Sequence, residues 1–140
     1  MNHTKDIILC DIDGTISLRG DRDPHDLSLV IEDAPRPQMV ALLHHLELKY
    51  DIVYISGRRE SSRPSTVYWL NVHGFPSGLA LLMRGDRDDR NDAVVKFGMY
   101  EGQILPYYNV AFVLDDRNKV VDMWRKEAGL LCFQVDFGDF

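Results

Sequence analysis

The chain has 140 residues, 45% of them apolar and 27% charged, and a formal net charge of −6. That size and balance suit one compact domain that buries roughly two-thirds of its unfolded surface, and they exclude disorder and fibrous repeats. The acidic excess excludes sequence-blind binding to nucleic acid along a broad basic face. No apolar run approaches the ~20 residues of a membrane helix. The N-terminal MNHTKDIILCDID has no small-residue cleavage site, so no signal peptide is expected; Cys10 and Cys132, each inside an apolar run, read as buried thiols of a reducing cytoplasm.

Apolar patterning alternates strands with helices along the chain. An Ile-rich run over 6–12 predicts the first strand. Met39, Val40, Leu42, Leu43 and Leu46 recur at helical spacing behind Pro37, which predicts a helix over 38–48. A second strand over 51–55 and a short helix over 65–72, closed by Gly74, come next. A third strand covers 79–83, and Asn91 caps a helix carrying Val94, Val95 and Phe97. A fourth strand over 110–114, a helix over 118–128 stopped by Gly129, and a fifth strand over 130–135 complete the chain. Strands joined by helices of this length predict right-handed βαβ units, hence an α/β fold with a doubly wound, mostly parallel five-stranded sheet spanning residues 1–140 as one domain.

In such sheets ligands bind beyond the carboxyl ends of the strands. Asp11 and Asp13 end the first strand there, Ser56 the second, and Asp115 and Asp116 the fourth. Arginine supplies 11 of the 16 basic residues. Arg19, Arg22, Arg58, Arg59, Arg63, Arg84, Arg87, Arg90 and Arg117 fall after the same strand ends, which predicts an acidic centre ringed by guanidinium groups. Any single arginine in a loop is ordinarily just solvated. Four carboxylates at one edge are different, because they repel one another unless a cation joins them.

In Asp11-Ile12-Asp13-Gly14-Thr15 the two acids share a side of an extended chain, and Gly14 permits an immediate turn. A strand-end carboxylate can attack phosphorus, and a second one two residues on can protonate the leaving alcohol and then deprotonate water. Asp115 and Asp116 add hard oxygen ligands for Mg²⁺, Ser56 a hydroxyl donor, and Lys96 a point charge.

With those residues placed, the chain resembles the haloacid dehalogenase superfamily: the DIDGT run, Ser56-Gly57-Arg58, Val94-Val95-Lys96 and Leu114-Asp115-Asp116 match its four ordered motifs. More narrowly, GDRDPHD (20–26), SGRRES (56–61), MRGDRDDRNDAVVK (83–96) and the segment 114–140 are similar to the 3′-phosphatase domain of the phage polynucleotide kinase/phosphatase family. The resemblance implies Mg²⁺-dependent removal of a 3′-terminal phosphate from DNA or RNA ends, in nucleic-acid end repair, through an aspartyl-phosphate. It implies Asp11 as nucleophile and Asp13 as general acid/base. Thr15, Arg22, Ser56, Gly57, Arg58, Arg84 and Lys96 would serve the phosphate or the substrate. Mg²⁺ would lie on Asp11, the main-chain carbonyl of Asp13, and Asp115 or Asp116, with Asp116 favoured as the direct ligand. No G-x-x-x-x-G-K-[ST] loop occurs, so no 5′-kinase activity is expected of these residues, and a separate kinase or ligase is the expected partner.

Residues 16–50 hold little beyond a loop and a helix, and 57–95 are used by the sheet and its helices, so no cap domain is expected and the site should admit a bulky chain end. Tyr54, Tyr68, Trp69, Tyr107 and Tyr108 are expected to pack rather than stack on bases. His44 and His45 have no ligand partners at zinc spacing, and His3, His25 and His73 earn no catalytic role. Two other readings stand beside the favoured one: a phosphatase for mononucleotides or other small phosphorylated metabolites, and a catalytically silent module recognising phosphorylated ends, against which the intact Asp11–Asp13 pair speaks.

Overall fold

A computed structural model describes residues 5–23 and 25–140; His3 and the rest of the N-terminal tetrapeptide lie outside them. Five parallel strands form the main sheet: β1 (Ile7–Cys10), β4 (Asp51–Arg59), β5 (Ala80–Arg84), β6 (Val110–Asp115) and β7 (Cys132–Gln134), in the order β5-β4-β1-β6-β7. The chain winds outward from β1 to β5, then returns across β1 to β6 and β7. β1 is therefore central and its carboxyl end lies where the winding reverses, as expected of a doubly wound sheet.

Successive side chains of β1 point to opposite faces and divide the core into two layers. Ile7 and Leu9 pack with Val95, Val120 and Trp124 on one face; Ile8 and Cys10 pack with Met39, Leu43, Trp69 and Phe75 on the other. The first face is covered by α3 (Asp92–Met99) and α4 (Asn118–Asp122), each prolonged by a wider π-type turn, over Tyr100–Ile104 and Met123–Glu127. The second is covered by α1 (Pro37–Leu46) and α2 (Arg63–Val72). Cys10 and Cys132 are free and buried, as expected. Among the described residues no helix is long and apolar enough to cross a membrane.

Three differences from the expected elements bear on the site. The second strand does not stop at Ile55 but stays extended to Arg59, because an irregularity between Ser56 and Arg59 lets Arg59 still pair with Arg84 of β5. Ser56 and Arg58 thereby hang from sheet backbone rather than a loop. The segment between β1 and α1 carries a small antiparallel ribbon, β2 (Ser17–Leu18) with β3 (Ala34–Pro35), and a 3₁₀ turn over Leu27–Glu32. Among the described residues, neither that segment nor the one between β4 and β5 inserts a cap domain. Finally, Tyr68 and Tyr107 are 60% and 58% exposed, contrary to the packing expected of them, whereas Tyr54 and Trp69 are fully buried.

Candidate active site

β1 ends at Cys10, and the Asp11 amide continues the ladder by donating to the Leu114 carbonyl at 3.0 Å. Gly14 then takes φ +82°, a left-handed conformation that costs glycine little, and the chain folds back so that the Thr15, Ile16 and Ser17 amides all donate to the Ile12 carbonyl. A Cβ at position 14 would lie 2.0 Å from Asp116 Oδ2. The turn therefore needs glycine for both backbone freedom and space.

Asp11, Asp115 and Asp116 are buried and offer carboxylate oxygens all within 4.8 Å of one another. Lys96, 2% exposed one turn into α3, donates to Asp11 Oδ1 at 2.7 Å and to Asp115 Oδ2 at 3.1 Å. The helix that carries it starts where expected, at Asn91, whose side chain accepts from the Val94 amide at 3.0 Å. Thr15 Oγ1 donates to Asp11 Oδ2 at 2.9 Å and lies 3.3 Å from Asp116 Oδ1. Asp115 accepts further bonds from the Asp116 amide and from Trp124 Nε1 at 2.8 and 3.1 Å. Asp115 is thus tied on all sides, while Asp116 has fewer partners.

Three acids face one lysine. Burial, and next the Asp115 charge, push the Asp11 carboxyl well above its ordinary range, with Lys96 only partly offsetting them. Burial and Asp115 also raise Asp116. Lys96 shows the converse: burial works against its charge, but Asp11 and Asp115 more than reverse this and raise its pKa. This surplus of negative charge on hard oxygens fits a divalent cation such as Mg²⁺.

Asp13 stands outside this trio. Its half-exposed carboxylate is gripped by Arg58, Nε to Oδ2 at 2.9 Å and Nη2 to Oδ1 at 2.7 Å, with Arg22 at 3.7 Å. Burial alone would raise this carboxyl; the Arg58 charge and hydrogen bonds, helped by Arg22, outweigh it and hold the pKa low. The Asp13 carboxylate is not among the acids clustered closely enough to share a metal ion. Ser56 is buried, and its Oγ accepts from the Arg58 amide at 3.0 Å, which leaves the hydroxyl proton free to donate. A Cβ on Gly57 would lie 2.4 Å from Asp92 Oδ1.

Sequence reasoning missed two residues of this constellation. Asp33, 4% exposed, accepts from Arg22 at 2.8 and 2.9 Å and from Arg58 at 3.3 Å, so one buried carboxylate orients both arginines; Trp69 Nε1 fixes its backbone carbonyl at 2.8 Å. Asp92 receives Arg84 at 2.5 Å and Arg117 at 2.9 Å. Asp33 follows a 3₁₀ turn and Asp92 opens α3, where an acid is unremarkable; their arginine partners become visible only once the chain is folded.

Most of the arginines expected to ring the acidic centre are already paired with protein carboxylates. Arg22, Arg58, Arg59, Arg63, Arg84, Arg90 and Arg117 each ion-pair with a neighbouring carboxylate. Arg84 also donates to the carbonyls of Gly57, Asp88 and Arg90, so it staples the 85–92 loop. Among the described residues at this rim only Arg19 and Arg87 are exposed arginines without an internal partner. The rim is acidic enough to consume its own cations.

Residues 5–140 match the family described as polynucleotide kinase PNKP phosphatase domain. A putative bifunctional polynucleotide kinase/RNA ligase of Autographa californica nuclear polyhedrosis virus is 32% identical over 121 residues, which is 84% of this chain and 17% of the viral protein. A chain in the structure of a Pnkp1/Rnl/Hen1 complex superposes with a TM-score of 0.93 at 37% identity, covering 99% of this chain and 49% of that one. The Class C acid phosphatase from Bacillus anthracis with tungstate bound shares the fold at TM-score 0.65 and 18% identity, over 85% of this chain and 54% of its own. The chain thus spans 17% of the viral protein and about half of the chain in the complex.

Proposed function

Since the chain belongs to the family of polynucleotide kinase PNKP phosphatase domains, of the haloacid dehalogenase type, we propose that it is a single Mg²⁺-dependent phosphatase domain acting on the 3′-terminal phosphate of DNA or RNA ends. The carrying observation is the pair of differently wired acids on one turn: Asp11, buried against Lys96 and two further carboxylates, and Asp13, two residues on, half exposed and clamped by Arg58.

Asp11 is the nucleophile. Its oxygen bonds to phosphorus as the bond to the 3′ oxygen breaks, and Asp13 gives that oxygen its proton. Held ionised in the free protein, Asp13 takes up that proton from solvent as the phosphate dianion arrives and offsets the charge of Arg58. In the second step Asp13 accepts a proton from water, whose oxygen attacks phosphorus and releases Asp11 as a carboxylate. Ser56 donates its free hydroxyl proton to a phosphoryl oxygen. Lys96 holds Asp11 in line and supplies positive charge, and Thr15 fixes the other Asp11 oxygen. Arg22, itself held by Asp33, steadies Arg58 and Asp13. Asp11, Asp116 and the Asp13 carbonyl would hold Mg²⁺, with Asp115 behind them; the ion supplies shielding between the carboxylate and the phosphate it attacks.

The relatives' printed names, a kinase/RNA ligase and a Pnkp1/Rnl/Hen1 RNA repair complex, support work alongside kinase and ligase activities in end repair. One observation favours a second reading, a phosphatase for 3′-mononucleotides: so few rim arginines are free that upstream phosphates find little counter-charge.

Phosphate release from a 3′-phosphorylated oligonucleotide, its 5′-phosphorylated isomer and a 3′-mononucleotide, each with Mg²⁺ or EDTA, tests both. The expected result is Mg²⁺-dependent release from the 3′ oligonucleotide that Asp11→Asn and Asp13→Asn each abolish with folding intact. Undiminished release by either variant removes the aspartyl-phosphate route, and faster turnover of the mononucleotide selects the second reading.

A further inference from the structure

We infer that the segment from Gln134 to Phe140 is a strap that positions the metal-binding edge of the site, with Gly138 and Phe140 as its positioning residues. The inference rests on the metal reading given under Proposed function.

The strap's contacts go to backbone of the site. The Val135 amide donates to the Asp115 carbonyl at 2.9 Å, and Gln134 Nε2 to the Asp116 carbonyl at 2.9 Å. The Asn118 amide donates to the Gly138 carbonyl at 2.8 Å. Gly138 is buried so closely that a Cβ there would sit 2.3 Å from the Asp116 carbonyl oxygen and 2.8 Å from Arg117 Cα. Arg117 donates Nε to the Phe140 carbonyl at 2.8 Å and lies 4.9 Å from the Phe140 ring centroid, while its Nη1 holds Asp92. On the other flank, Asp136 takes Arg36 Nη2 at 2.5 Å, and the same nitrogen donates to the Gly14 carbonyl at 3.0 Å. The strap therefore bonds directly to the stretch carrying Asp115 and Asp116 and reaches the Gly14 turn through Arg36.

Core packing does not explain it. Val135 packs on the second core layer, but Phe137 and Phe140 are 79% and 61% exposed, so beyond Val135 the segment gains little from apolar burial. What it gives is placement. Carbon approaches oxygen or carbon at ordinary contact distances of about 3.5 Å, so a methyl at 138 displaces the Asp116 backbone by on the order of 1 Å. A shift of that size can cost about a hundredfold at a reacting centre.

The test uses the full chain and Mg²⁺ alone. Trp124, whose indole N–H donates to Asp115, is a resident reporter; Trp69, buried in the opposite core layer, is a constant background. Gly138→Ala should raise the Mg²⁺ concentration at half-maximal fluorescence change about tenfold. Phe140→Ala should raise it several-fold, and Asp139→Ala, at an exposed position without an ion pair, should leave it unchanged. In phosphate release, saturating Mg²⁺ should recover most of the turnover with KM for the ester within about twofold, a separation that general loosening would not give. Unchanged half-saturation in both Gly138→Ala and Phe140→Ala overturns the inference, and Phe140→Ala alone decides if the glycine variant does not fold. If the parent chain itself gives no Mg²⁺ response, the metal reading fails separately. The strap is then judged by the amide NMR signals of Asp116 and Arg117, which Gly138→Ala should displace and Asp139→Ala should not; unmoved signals overturn it.

Discussion

Replacing Lys96 with Met keeps side-chain length and deletes the only cation within ion-pair distance of Asp11 or Asp115 among the described residues. The Lys96, Asp11 and Asp115 side chains are 3%, 7% and 0% exposed, so water cannot take over the lost partner. Removing one member of a buried pair costs about 3–5 kcal/mol, a large part of the ~5–15 kcal/mol that holds a domain together. At a urea slope near 2 kcal/mol/M this lowers the unfolding midpoint by about 2 M. Asp11 already binds its proton more tightly in the folded state than in the unfolded chain. Without Lys96 that preference grows, and a carboxyl with a raised folded pKa gains stability as pH falls. Between pH 7 and pH 5 one proton recovers at most about 2.7 kcal/mol, from ~1.4 kcal/mol per pH unit. Urea unfolding of both proteins in EDTA at the two pH values measures this directly. A loss under about 1 kcal/mol at pH 7, or a gap that fails to narrow at pH 5, refutes the account of the acid cluster.

Two more perturbations separate the remaining parts. Asp33→Asn leaves Arg22 and Arg58 facing a neutral amide; it should cost about 3 kcal/mol, lower the melting temperature by roughly 10 °C, and slow phosphate release. A scan showing an unmoved melting temperature would remove Asp33 as their anchor. With Arg19 and Arg87 the only unpaired arginines at the rim among the described residues, the slope of log kcat/KM against log salt should be near −1.5 for a single-stranded substrate, from about −0.7 per neutralised phosphate. A slope of −5 or steeper would mean a wide phosphate-binding face that the ion pairs do not leave open.

The acids and Ser56 were legible because they hang from strand ends, and strands of β-branched residues bounded by polar turns announce themselves locally. Lys96 was legible because Asn91 fixes the phase of its helix. The pairing of the arginines was not: Arg58 meets Asp13 45 residues away, and nothing near either residue specifies the other. Asp33 was hidden for the same reason, lying between a 3₁₀ turn and a two-residue strand, both too brief to show a period. The exposure of Tyr68 and Tyr107 follows from helix phase and turn geometry that apolar patterning alone resolved poorly.

The place of β1 between two unlike neighbours has a further consequence. On the proposed reading, β4 on one flank presents Ser56 to the phosphate and Arg58 to Asp13, while on the other the end of β6 presents Asp115, and Asp116 just beyond it, to the metal. Recognition and electrostatics thus occupy separate halves of one sheet and meet only at the nucleophile. Variation in the half bearing β4 and β5 can retune the choice of ester while the ion-handling half stays untouched.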